Sequence, residues 1–238
     1  MKVAVISDIH GYSLALESVL ADIGREPGID LIVAAGDLCE GGPDPCGVLQ
    51  ILDVHSIHRI RGNTDRDLVE GVRSSKGATW VTGKLGGEGL EQLASLPFDL
   101  RVSPPGGRKF VDDLLVVHAN PFDEYQQLAP SASDAEFRDI LGDTRAAVIA
   151  FGHIHIAYQR VIDGIQLIDV SAVGNPKDED FRSKWGLCIW NEETTTWTTE
   201  LRYVDYPLEG TLAQMEASGM PNWSKAATKL QRASYREQ

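Results

Sequence analysis

Residues 3–11 read Val-Ala-Val-Ile-Ser-Asp-Ile-His-Gly, and the fold turns on how that stretch ends. Val3–Ser7 is an apolar run of strand character, and the two residues that follow at alternate positions, Asp8 and His10, are metal-ligand types. The same arrangement recurs four times. Leu31–Ala35 leads to Asp37, Ile57–Arg61 to Asn63, Leu114–Val117 to His118, and Ala147–Phe151 to Gly152-His153-Ile154-His155. In an open α/β sheet the chemistry sits beyond the carboxyl ends of the strands, so groups spread from residue 8 to residue 155 can converge there. Four of the six histidines belong to this set.

The residue types fit two ions better than one structural zinc. Imidazole, carboxylate and amide oxygen suit hard or borderline divalent ions, whereas a thiolate cluster favours zinc or iron–sulfur. One carboxylate can bridge two ions roughly 3.5–4 Å apart, the spacing used for in-line displacement at phosphorus. Asp37, in the middle of the series, is the natural bridge. A single His-x-His pair would mean little, because alternate strand residues face the same way in any strand; five such elements in sequence are another matter.

Taken in order, Asp-x-His, Gly-Asp, Gly-Asn-x-Asp, His and Gly-His-x-His resemble the calcineurin-like metallophosphoesterases over about the first 180 residues. The stretches SDIHGYSLALESVL and GDLCEGGPDPCGVLQIL narrow the resemblance to the compact prokaryotic branch, YfcE-like or diadenosine-tetraphosphatase-related. In a third stretch, VSAVGNPKDED, Asp169, Val170, Ser171 and Ala172 replace the opening of the branch's usual Asn-Pro-Gly-Ser-Val-Gly-x-Pro-Arg-Asp. The resemblance implies a four-layer α/β/β/α sandwich with two mixed sheets. It also implies one ion held by Asp8, His10, Asp37 and His155 and another by Asp37, Asn63, His118 and His153. The reaction it implies is hydrolysis by metal-bound hydroxide of phosphodiester or phosphoanhydride bonds, with Mn2+ the expected metal and Fe, Zn, Ni or Mg as alternatives.

Thr64 is the main departure. Many members of the family carry His at that position of Gly-Asn-x-Asp, where it protonates the leaving oxygen; a threonine hydroxyl is no acid near neutral pH. A positioned general acid contributes about 10²–10⁴-fold, so good leaving groups are the expected substrates. The catalytic set is read as Asp37, Asn63 and Asp65, the last either orienting His118 or another ligand as an outer carboxylate or capping a helix over Arg66–Val72. Asn63, Thr64, Arg66 and Lys177 are the candidate substrate contacts, Lys177 because it stands where the branch usually has Arg. For Arg66 a plain surface role is the competing reading.

Composition fits a soluble enzyme of 238 residues with 42% hydrophobic content. The formal net charge of -13 argues against nucleic acid as a partner, since duplex binding draws on Lys and Arg. No apolar stretch has signal or membrane-spanning length, so a cytoplasmic protein acting on a small phosphorylated substrate is expected, with no membrane partner and oligomeric state open. Cys39, Cys46 and Cys188 form no Cys-x-x-Cys pair and read as free thiols.

The remaining pattern predicts helices over Ser13–Ile23, Pro45–Leu52, Gly89–Leu96 and Ser133–Leu141, with residues 71–89 Gly-rich and aperiodic. Strands are predicted over Phe98–Val102 and Lys109–Val117, then hairpins around Asp163-Gly164 and Asn191-Glu192-Glu193. A helical tail broken by Gly219 and Pro221 closes a single domain, residues 1–238, the tail covering about 208–238. His55 and His58 lack a partner motif and are left out of the site, and Trp185, Trp190, Trp197 and Tyr203 are read as packing residues. Two classes of function remain: the phosphoesterase, with protein phosphatase or phosphomonoesterase activity as variants, and a metal-binding scaffold with little catalysis. So many buried carboxylates and imidazoles would be costly without metal to offset their desolvation, which favours the enzyme.

Overall fold

Alternation along the strands sets the layering. In β1 (Lys2–Ile6), Val3 and Val5 point one way and Ala4 and Ile6 the other, into two different apolar cores. A computed structural model describes residues 1–234 of the chain. Following β1 come α1 (Ser13–Ile23), β2 (Leu31–Ala34), α2 (Pro45–Val54), β3 (His58–Arg59), α3 (Asn63–Glu70), α4 (Lys76–Ala94), β4 (Leu100–Val102) and β5 (Leu114–Val116). Then come α5 (Asp134–Leu141), β6 (Val148–Phe151), β7 (Tyr158–Ile162), β8 (Ile165–Asp169), β9 (Ser183–Asn191), β10 (Thr196–Val204), α6 (Leu208–Ala217) and α7 (Trp223–Arg232).

The strands form two five-stranded mixed sheets, ordered β10-β9-β1-β2-β3 and β4-β5-β6-β8-β7. Val3, Val5 and Val33 of the first sheet pack face to face with Leu114, Val116, Val148 and Ala150 of the second, and Trp190 and Trp197 complete this middle core. The opposite face of the first sheet packs on α1, α2, α4, α6 and α7. The opposite face of the second, through Leu115, Ile149 and Phe151, packs on Phe137 and Leu141 of α5. Helix, sheet, sheet and helix are therefore the four expected layers. Each sheet has a parallel trio, β1-β2-β3 at one side of the first and β5-β6-β8 at the centre of the second. Both trios deliver their carboxyl ends to one cleft.

Three local expectations need correction. Residues 76–94 form two helical segments that meet at a kink at Gly86 (φ 61°); the second corresponds to the predicted short helix over Gly89–Leu96, whereas the first, capped by Ser75 accepting from Ala78 N, replaces part of the predicted aperiodic stretch. Their buried face, Ala78, Val81, Leu85, Gly89 and Leu93, does have helical spacing, but interspersed glycines hide the period. Second, α3 starts at Asn63, so Asp65 is its third residue and Gly62 is the cap, against the predicted helix over Arg66–Val72. Third, the predicted strand Lys109–Val117 shrinks to Leu114–Val116 because Asp112 and Asp113 accept from the backbone N–H of Arg108 and Phe110 and hold a turn. Residues 235–238 of the expected tail lie outside the described residues. Among the described residues no helix is long and apolar enough to cross a membrane.

Candidate metal centre

Asp8, His10, Asp37, Asn63, His118, His153 and His155 all lie in one cleft at the carboxyl ends of β1, β2, β3, β5 and β6, within a network of short contacts. The tautomers of four histidines can be read from their outer partners, because a backbone carbonyl only accepts. His10 Nδ1 donates to Glu40 O (2.5 Å) and His155 Nδ1 to Asn175 O (2.5 Å). In the neutral imidazoles each Nε2 is therefore the lone-pair nitrogen, and the two face one another at 3.1 Å, with Asp8 Oδ1 at 3.5 Å from His10 and 3.1 Å from His155. Asp8 Oδ1 is buried and has no hydrogen-bond donor. Two imidazole nitrogens and a carboxylate oxygen this close need a positive charge among them, which a proton on His10 supplies in the ion-free site and a bound cation would supply in its place.

A second set stands beside the first. His118 Nδ1 donates to Ala35 O (2.8 Å) and His153 Nε2 to Tyr125 O (2.9 Å), leaving His118 Nε2 and His153 Nδ1 as acceptors. These lie 3.2 Å apart, and each is 3.0 Å from Asn63 Oδ1. Asp37 spans both sets: Oδ1 is 3.5 Å from His118 Nε2 and Oδ2 is 3.6 Å from His10 Nε2. The residues present thus fit two divalent ions with one shared carboxylate.

Close backbone approach makes this packing possible. A β-carbon at Gly62 would collide with the Asp37 carboxylate, and one at Gly152 with the Asp8 carboxylate and the Ser7 side chain. The glycines of Gly-Asn and Gly-His are spaces occupied by a neighbouring ligand. Beyond the strands the chain turns left-handed at Asp8 (φ 52°), His10 (52°), Asp37 (53°), His153 (74°) and His155 (60°). For residues other than glycine that conformation costs roughly 1–2 kcal/mol each, and hydrogen bonds hold it: Thr64 N donates to Asp37 Oδ1 (2.8 Å) and His153 N to Asp8 Oδ2 (2.8 Å).

Asp65 is fully buried and holds the loop of a candidate ligand, Asp37 rather than His118; it is not the N-cap of a helix over Arg66–Val72. Oδ2 accepts from Asp37 N (2.8 Å) and Gly62 N (3.0 Å), and Oδ1 from Leu38 N (2.9 Å). It fastens the Asp37 loop to the start of α3, without a hydrogen bond to His118 and without access to substrate. Burial, with repulsion from Asp37, pushes its pKa up to about 7. In the ion-free site burial disfavours charge on His10, but Asp8 and Asp37 outweigh it and raise the imidazole to about 9. Burial likewise opposes charge on Asp8, yet His155 and His10 hold it well below the usual carboxylate range. His153 moves the other way, down, through burial and the neighbouring His118.

The remaining candidates lie around this centre. The Thr64 hydroxyl is buried without a partner. Arg66 is engaged by Glu70 (2.8 Å) and Glu124 (3.3 Å). Lys177 donates to Asn175 Oδ1 (2.7 Å), and burial followed by repulsion from Lys229 lowers it to about 8. His55 and His58 are exposed and apart from the cleft. Sequence reasoning missed the four carbonyls that fix the tautomers, which carry no residue-type signal. It also missed Arg73, which bridges Asp67 (2.6 Å) and Glu40 (3.2 Å) at the rim, and Tyr125, whose hydroxyl donates to Asp67 (2.7 Å). Asp169 and Ser171, in the divergent third stretch, are buried beside the centre, where Val173 N and Gly174 N donate to Ser7 O and Asp8 O.

Comparison with known proteins agrees with this geometry. The family model for calcineurin-like phosphoesterases matches residues 1–157. An uncharacterized protein of Methanocaldococcus jannaschii, MJ0912, is 27% identical over 93% of this chain and 94% of its own length. A symmetrical bis(5'-nucleosyl)-tetraphosphatase of Acidovorax sp. is 35% identical over 128 residues, half of this chain and 44% of that enzyme. The crystal structure of a metallophosphoesterase from Sphaerobacter thermophilus superimposes with a TM-score of 0.76 at 25% identity, covering 98% of this chain and 99% of that one. A family match over both ligand-bearing sheets, on a fold shared end to end with a metallophosphoesterase, identifies the chain as a hydrolase of the calcineurin-like phosphoesterase family.

Proposed function

We propose that the cleft is a two-metal centre, with manganese as the working ion, that cleaves phosphodiester or phosphoanhydride bonds in small substrates with good leaving groups. The observation that carries the reading is the convergence of two sets of metal-ligand atoms joined by Asp37. Bound ions would supply Lewis-acid charge stabilisation at a phosphoryl group and acidify a water for attack. Asp8, His10 and His155 would hold one ion, Asn63, His118 and His153 the other, and Asp37 both. The carbonyls of Glu40, Asn175, Ala35 and Tyr125 keep each imidazole in its ligating tautomer.

Leaving-group selectivity follows from what is missing. Thr64 offers no acid, Asp65 is sealed in backbone contacts, and the Tyr125 hydroxyl is raised to about 12 by burial and Asp67. Alkoxide departure would go without a proton donor from these groups, whereas phosphate or aryloxide departure needs none. The Acidovorax relative's tetraphosphatase activity supports an anhydride, although that likeness spans only half of this chain. Three unpaired cysteines, two of them buried, suit a reducing compartment, and we assign the protein to the cytoplasm.

Turnover of an aryl phosphodiester and of a dinucleoside tetraphosphate with added Mn2+, against an Asp37→Asn control, tests the proposal. Activity on both that the control abolishes is expected. Equal rates in the control would reject the centre.

A further inference from the structure

A cavity of about 220 Å3 opens between the first half of α4 and the last helix, α7. Gly77, Trp80 and Val81 line it from α4, and Lys225, Ala226 and Lys229 from α7, each trio at the one-turn spacing of a single helix face. Its floor is the Glu40-Gly41-Gly42 loop, whose Glu40 carbonyl fixes His10. A β-carbon at Gly41 would lie 3.5 Å from His10 Cβ, so cavity and metal centre share a wall one residue thick.

The cavity has a particular chemistry. Gly41, Gly42, Gly77 and Ala226 leave space that larger apolar residues fill elsewhere in this helix layer. The half-buried Trp80 gives it a flat aromatic wall, extended by the apolar Met220 and Pro221. Its rim carries Lys225 and Lys229 in a chain of net charge -13. A flat apolar slot with a few polar groups beside a phosphate-handling centre matches an aromatic base joined to phosphates.

We propose that this cavity is a base-binding subsite, which takes the nucleobase of a nucleoside-containing phosphate ester or anhydride stacked on Trp80, with Lys225 and Lys229 beside its phosphates. Glu40 and Asn222 supply polar groups for the edge of the base. The inference rests on the phosphoesterase reading for the position of the phosphates, and it makes the substrate a nucleotide.

The test is calorimetric binding of two probes to the full-length Mn2+-loaded protein. One is adenosine 5′-(α,β-methylene)diphosphate, whose P–C–P bridge resists hydrolysis; the other is methylenediphosphonate, the same diphosphonate without nucleoside. The nucleotide analogue should bind more tightly. Trp80→Ala should weaken it about tenfold relative to the base-free probe, Trp80→Phe should retain most of the affinity, and Lys229→Gln should weaken both probes. Equal affinity of wild type for the two probes, or an unchanged ratio in Trp80→Ala with Trp80→Phe folded, overturns the subsite. Base-dependent binding without hydrolysis of any phosphoester would support the subsite and reject the catalytic reading. Hydrolysis of an aryl diester without base-dependent binding would do the reverse.

Discussion

The two ligand sets differ in charge and exposure. Asp8, His10 and His155 are all buried, and their set carries a carboxylate of its own besides the shared Asp37. Asn63, His118 and His153 bring no charge beyond Asp37, and His153 is only half-buried. Charge count and rigidity tune affinity for hard cations, so the first set should hold its ion more tightly and the second should be the exchangeable position. Asp37 couples them.

Asp37→Asn tests that coupling most severely. Turnover should fall by more than about 100-fold, beyond the 10–100-fold typical of outer-shell partners, and both ions should be affected. Asp8→Asn and His153→Ala should instead each reduce occupancy of one ion, which metal analysis after gel filtration would read. His55→Ala is the background control, and a loss in it equal to that in Asp37→Asn would contradict the ranking.

A smaller effect concerns the proton. Thr64→His should raise activity on alkyl monoesters relative to aryl diesters by roughly tenfold, less than the 10²–10⁴ of a well-placed acid. If wild type already cleaves alkyl monoesters as fast as aryl diesters, another group supplies the proton and the account of Thr64 is wrong.

The candidate ligands were legible because each follows a strand that sequence can recognise. Asp8 after Val3–Ser7 and His118 after Leu114–Val117 end strands of two different sheets, and they meet because the sheets pack with their parallel strands ending at one cleft. The α/β/β/α layering was legible through the family resemblance, which the succession of strand and helix runs matches. What stayed hidden depends on contacts between distant backbones. Nothing in the identity of Glu40 or Asn175 marks its carbonyl as a tautomer lock, and the α4 face bearing Trp80 was masked by glycines at 77, 83, 86, 87 and 89. Asp65 reads from sequence as a carboxylate that orients a ligand or as a helix cap, but that it holds Asp37 is set by a tight approach of Gly62 to Asp37 that no spacing reveals.

Asp65 gives a stability prediction. Asp65→Asn leaves buried backbone N–H groups short of an acceptor and should cost about 1–3 kcal/mol, read by urea unfolding of ion-free protein. No change would mean the three backbone contacts contribute little. The pH dependence has a definite sign. In ion-free protein His10 is raised from 6.5 to about 9 and Asp65 from 3.8 to about 7. Both shifts favour the protonated folded state, so the stability they add is complete below 6.5 and 3.8 respectively and is lost as pH rises through about 9 and about 7. An ion must displace the His10 proton, so the rise in Tm on adding Mn2+ should be larger at pH 9 than at pH 6. A rise independent of pH would contradict His10 as a ligand.

The most direct measurement is a calorimetric titration of ion-free protein with Mn2+ at pH 8, repeated with His153→Ala. The account predicts two binding events per chain in wild type, a tight one followed by a weaker one, and loss of the weaker event alone in the variant. A single event per chain, or loss of the tight event in His153→Ala, would contradict it.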